Sequence, residues 1–185
     1  MTDVKFLTRA ELDAGLSEIR QAPKDEGALK LIVRRPSVNA REVLTEARLD
    51  TLEGLVGDSW KDRRSSRTAD GSPHPEMQLN LINTRVIALI TQDESRWQLA
   101  GDQLFLDLDL SKDNLPAGTK LALGSAVIEV TAEPHTGCKK FVERFGVDAM
   151  KFVNSTVGRE LQLRGINARV LQPGVIRVGD KAKKL

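Results

Sequence analysis

A chain of 185 residues can bury one hydrophobic core without disulfide or metal support and is short for two full domains. Hydrophobic residues are 40% and charged residues 29%, which excludes a disordered composition. The 28 basic and 26 acidic residues leave a formal charge of +2, and with aromatics at 4% and no tyrosine, the basic excess and stacking rings of a nucleic-acid binder are missing.

Met1 is followed by Thr2, Asp3, Val4 and Lys5, with no apolar run resembling a secretion signal. Later apolar stretches are too short to span a bilayer, so a cytoplasmic location and no membrane partner are expected. Residues 8–20 read as an amphipathic helix: Thr8 and Glu11 have capping-box spacing, and Leu12, Leu16 and Ile19 share a face. The helix stops before Pro23, and a polar connector follows, so the expected division is helix and connector over 1–28 and a β-barrel domain over 29–185. Leu29, Leu31 and Val33 alternate with Lys30 and Ile32 in a strand ending before Pro36. In residues 41–49, Val43, Thr45, Ala47 and Leu49 lie two apart and favour a strand over a helix.

Residues 54–75 read as a long loop, with Gly57, Asp58, Gly71, Ser72, Pro73 and Pro75 as turn formers. Loops of that length inside a compact domain are commonly functional. Met77, Leu79 and Leu81 form a half-buried strand, and Asn83 is placed to cap a helix through about Thr91. In residues 103–110, Leu104, Leu106, Leu108 and Leu110 occupy one face, while Phe105, Asp107 and Asp109 occupy a largely wet one. Residues 120–123 and 126–131 flank Gly124 and Ser125 at hairpin spacing. Two short helices divided by Gly146 fit residues 139–154, and strands near 166–172 and 175–180 end the chain. Many short strands with glycine-rich turns predict a mainly β fold with short helices, a closed or partly closed barrel. No phosphate-loop or dinucleotide fingerprint is present.

The single cysteine, Cys138, follows His135, Thr136 and Gly137 and precedes Lys139 and Lys140, between a strand end and a helix start. Positive partial charge at a helix start and the two lysines favour thiolate, the form that ligates metals and attacks electrophiles. The alternative is a small buried apolar residue, the commonest fate of free cysteine. His135 and the only other histidine, His74, do not supply the four ligands of structural zinc. Lys61, Arg63, Arg64 and Arg67 suit an anionic ligand or plain solvated surface, and Asp58 suits a loop cap or a ligand-orienting role.

These pieces, in order, resemble the MOSC family, named for the C-terminal part of molybdenum cofactor sulfurases. The resemblance is carried by Gly54 to Asp58, by Gly101, Asp102, Gln103 and Leu104, by Gly118 to Gly124 before a strand, by Thr136-Gly137-Cys138, by Gly165 to Val170 and by Gly174 to Asp180. It covers roughly residues 29–181. Gln103 stands where the family usually has asparagine, and Ser59 and Trp60 follow Asp58 where histidine is common. The resemblance implies a β-barrel whose Cys138 ligates molybdenum in a pyranopterin cofactor or carries sulfur as a persulfide. It also implies a cofactor-binding set of Asp58, Arg63, Arg64, Arg67, Gln103, His135 and Lys139, with basic groups meeting the cofactor phosphate. Pyridoxal phosphate is not expected, because the chain lacks room for an aminotransferase-like domain. The function expected is molybdenum-cofactor binding or sulfur carrying through Cys138. Its alternatives are a molybdenum-dependent reductase of N-hydroxylated small molecules, served by a redox or sulfur-donor protein partner, and a non-catalytic anion-binding barrel.

Overall fold

The computed structural model describes residues 6–185. Thr8 accepts from the Glu11 amide and Glu11 reaches back to the Thr8 amide, so the capping box forms as its spacing predicts. The helix it starts is split at Gly15 into α1 (Arg9–Ala14) and α2 (Leu16–Ile19). A side chain at Gly15 would meet the Leu89 methyls at 2.5 Å, so a larger residue there would have to displace that leucine.

The alternating apolar runs become strands: β1 (Gly27–Arg34), β2 (Glu42–Leu44), β3 (Glu46–Asp50), β4 (Gly54–Leu55), β5 (Leu79–Asn83), β6 (Leu104–Asp107), β7 (Lys120–Leu123), β8 (Ala126–Val130), β9 (Ile166–Gln172), β10 (Gly174–Arg177) and β11 (Lys181–Lys184). Seven close into a barrel in the order β11-β7-β8-β9-β5-β6-β1, the β1–β11 pair completing the ring. Only β5 and β6 run parallel within it. Strand β2 extends one edge of β1, and β10-β3-β4 form a second small sheet. The helices are α3 (Thr84–Ile90), capped by Asn83, then α4 (Lys139–Phe145), α5 (Val147–Val153) and α6 (Thr156–Glu160), with α4 and α5 divided at Gly146.

One core fills the barrel with Leu29, Ile32, Leu81, Leu104, Leu106, Ile128, Ile166 and Ala182. A second lies outside it, where Val33, Ile82 and Phe105 meet Phe141, Phe145 and Phe152 of the helices. Two expectations change here. Phe105 is fully buried under the helical layer, so the second face of its strand is not largely wet. In β1 a register shift between Leu29 and Leu31 breaks the simple alternation, so that Ile32 joins Leu29 inside and Val33 points to the helices. Strand β11 was not expected at all: three of its four residues are lysine, and only Ala182 is buried.

Candidate functional site

Cys138 lies on the connection from β8 to α4, and that connection is tied down along its length. Thr131 Oγ1 donates to the Glu76 carbonyl at 2.6 Å, and Asn167 Nδ2 donates to the Glu133 carbonyl at 3.0 Å. Asn154 clamps the residue next to the cysteine: its Oδ1 accepts from the Gly137 amide at 2.9 Å and its Nδ2 donates to the Gly137 carbonyl at 3.2 Å. The Cys138 carbonyl then accepts from Phe141 and Val142, opening α4, whose Phe141 and Phe145 are buried below. The thiol itself makes no capping bond and is exposed. Polar side chains bonded to the backbone, with Phe141 and Phe145 below, fix the turn and leave the thiol exposed.

Cys138 lines a cleft of about 370 Å³ together with Arg35, Arg41, Arg63, His135, Lys140, Arg144 and Arg164; among the described residues no acidic side chain lines it. Two of its cations are neutralised from behind. Arg35 makes a two-pronged, buried ion pair with Asp58, Nε to Oδ2 and Nη2 to Oδ1, each at 2.9 Å. Arg35 Nη1 donates to Asn80 Oδ1 at 2.8 Å and to the Gly101 carbonyl at 2.7 Å. Arg164 pairs with buried Asp102 at 2.8 Å, donates to the Ala100 carbonyl at 2.9 Å, and lies 5.0 Å from the Phe141 ring centre. Arg41, Arg63, Lys140 and Arg144 have no carboxylate partner among the described residues. The wall therefore carries a net positive charge in a partly dehydrated place, which is where an anion binds most strongly. Burial, and then the charge of Arg35, lowers the Arg63 pKa.

His135 Nδ1 is 3.4 Å from Asp102 Oδ1 without a hydrogen bond between them, and both atoms are buried without a partner among the described residues. Burial first, then Arg164 and Arg35, push the His135 pKa well below 6.5, so the ring is neutral. Burial raises the Asp102 pKa, and Arg164 opposes the rise. Arg164 Nε is likewise buried and unpartnered. These atoms form the only-partly-satisfied polar part of the cleft wall.

Of the residues singled out in the sequence, Cys138, Arg63 and His135 come together in this cleft. Lys140 lines it rather than Lys139, and both are exposed. Arg64 borders an adjoining hollow of about 150 Å³ with Trp60 and His74, and Arg35, Arg63, Met77 and Asn80 border both spaces. Arg67 is half-exposed and pairs with Glu133 at 2.6 Å, tying the 54–75 loop to the cysteine-bearing connection. Asp58 lies beneath Arg35 and also caps Trp60 with its Oδ1 at 3.0 Å. Gln103 is fully buried, accepting from the Asn80 amide at 2.7 Å and donating to the Gln78 carbonyl at 3.1 Å, so it sets strand pairing behind the cleft. His74, Glu76 and Glu133 bring ligand-type atoms within 4.8 Å of one another. There, however, His74 Nδ1 accepts from the Glu76 amide and Arg67 holds Glu133. Arg35, Arg41, Arg144, Arg164 and Asn154 were missed. Single arginines next to Pro36, Glu42, Phe145 and Gly165 look like ordinary surface until the barrel gathers them.

The family model described as the MOSC domain matches residues 75–183, more than half of the chain. The YUAD protein from Bacillus subtilis superposes with a TM-score of 0.64 at 14% identity, over 84% of this chain and 93% of its own. YiiM from Escherichia coli gives 0.55 at 18%, over 85% and 69%. YiiM from Geobacillus stearothermophilus gives 0.51 at 14%, over 87% and 73%. At these identities the likeness is one of fold. No curated protein matches the sequence.

Proposed function

The chain belongs to the MOSC domain family, which is related to the molybdenum cofactor, and from that premise we propose that it binds this cofactor or carries its sulfur through Cys138. The observation that supports the reading is the pairing, in one cleft, of an exposed thiol with cations that no carboxylate among the described residues neutralises. The donor set suits the group. Thiolate is the soft ligand molybdenum prefers, and guanidinium forks match phosphate oxygens. The buried, unpartnered His135 Nδ1 and Arg164 Nε offer polar atoms to a ligand that reaches the cleft wall. When bound, the cofactor supplies oxidation–reduction chemistry at molybdenum. Cys138 would hold the metal or the sulfur, Arg63 would meet the anionic part, and neutral His135 would exchange hydrogen bonds without adding charge. Electrons for reducing an N-hydroxylated small molecule, or sulfur for a carrier, would come from a protein partner.

The test uses Cys138→Ser, which nearly keeps side-chain size but replaces a soft, ionisable sulfur with a hydroxyl that stays protonated near neutrality. Protein made in cells competent for cofactor synthesis should contain molybdenum and pterin, and the serine variant should lose most of both while remaining folded. Cyanide-releasable sulfur without molybdenum, lost in the variant, selects the carrier over the reductase. Wild-type protein with neither would remove both and leave an anion-binding barrel.

A further inference from the structure

Two of the unneutralised cations converge on one point. Arg41, from the β1–β2 connection, and Arg144, from α4, both reach Gly101: a methyl carbon there would lie 3.7 Å from Arg41 Nη2 and 3.8 Å from Arg144 Nη1. Both are held by carbonyls of neighbouring backbone and not by acids. Arg41 Nε donates to the Gln98 carbonyl at 3.2 Å and its Nη1 to that of Ala40 at 2.6 Å, while Arg144 Nη1 donates to the Leu99 carbonyl at 2.7 Å. Arg41 Nη2 has no acceptor among the described residues. Bringing two guanidinium groups together without a counterion costs free energy, and burial followed by the charge of Arg144 pushes the Arg41 pKa down to about 10. Lys140 stands one turn before Arg144 on α4, a second like-charge neighbour on the cleft side. Arg35 and Arg164, each with its own carboxylate, show that the same fold supplies counterions where the cation is structural.

We propose that Arg41 and Arg144, with Lys140 beside them, form a seat for an oxyanion, a phosphate or carboxylate group of the ligand that reaches Cys138. Helix α4 joins the two: Cys138 stands at its N-cap position, Arg144 lies six residues on, and both line the same cleft. The link to chemistry at Cys138 rests on the proposed function; the oxyanion seat does not. Its oxyanion is either the phosphate of the cofactor or the acidic group of a second ligand.

The alkylation of Cys138 in cofactor-free protein reads the seat directly. Relative to a model thiol, anionic iodoacetate should gain over neutral iodoacetamide, and inorganic phosphate should suppress that gain. In Arg41→Gln/Arg144→Gln, phosphate should compete about tenfold more weakly for each fork removed. The single changes Arg41→Lys and Arg144→Lys keep the charge but lose the planar fork, and should each weaken competition without unfolding. Phosphate that leaves the wild-type ratio unchanged, or that competes equally well in a folded variant, overturns the seat. The source follows from the double variant made in cofactor-competent cells: loss of pterin assigns the oxyanion to the cofactor, and retention of pterin with weakened phosphate competition assigns it to a second ligand. Wild-type protein that lacks molybdenum but shows the phosphate effect would count against the cofactor reading and for the seat.

Discussion

His135 shows how the cleft couples charge to stability. Its ring is held neutral, chiefly by burial and then by Arg164 and Arg35, while in the unfolded chain it titrates near the ordinary 6.5. Above that pH the ring is neutral in both states and contributes no pH dependence. Below it the unfolded chain takes up a proton that the folded chain refuses, so stability falls with a limiting slope of about 1.4 kcal/mol per pH unit. Asp102 acts in the opposite sense, because its raised pKa lets the folded state take up a proton first as the solution becomes acid. A comparison with His135→Gln isolates the histidine: the urea midpoint of wild type should fall more steeply than that of the variant between about pH 7 and pH 5. Parallel losses would show that His135 accepts its proton in the folded protein, and that Arg164 and Arg35 do not govern it.

At the scale of elements, β11 decides whether the barrel is closed. It pairs with β1 through Gly27–Ala182 and Ala28–Lys181, and with β7 through Ala122–Lys183 and Leu121–Lys184. Removing residues 181–185 should therefore bare two strand edges and the fully buried site of Ala182, giving a lower thermal midpoint and aggregation on heating. An unchanged midpoint and a soluble heated sample would mean that the other six strands suffice. This strand was the least legible in the sequence, since its lysines mask the one residue that faces the core. Elements with a local signature were legible: the Thr8 capping box, the Asn83 cap, the Gly124-Ser125 hairpin and the break at Gly146. The site was half legible. Cys138 and His135 adjoin in sequence and Arg63 sits in a suspicious loop, but Arg41 and Arg144 meet only because β1, α4 and the segment before β6 end at one rim. Asp58 and Gln103 carried motif signals and proved to sit behind the cleft, where they hold Arg35 and the Asn80 strand.

Across the whole molecule the two cores share their strands. Ile32, Leu81 and Leu104 fill the barrel, while their neighbours Val33, Ile82 and Phe105 face the helical layer. The N-terminal helices join that layer through Leu12 and Ile19. Neither core can open without disturbing β1, β5 or β6 in the other, so at 185 residues the chain should still unfold as one unit, although intermediates are common above about 150 residues. The cleft depends on this, because Arg35 follows β1 and Gly101 precedes β6, whereas Cys138 and Arg144 ride on the helical layer. Two probes separate the layers. Trp97 packs against the helical core and Trp60 lies in the loop beside the cleft, so tryptophan fluorescence follows the outer layer, while far-UV circular dichroism is weighted towards the backbone as a whole. Their urea curves should coincide in wild type. In Phe145→Ala, which removes a buried ring from the helical layer at a cost of about 3–5 kcal/mol, both should shift together by the same amount. A fluorescence transition at lower urea than the dichroism would show that α4 and α5 detach with Cys138 as a separate unit, and the cation wall and the thiol would then be joined only part of the time.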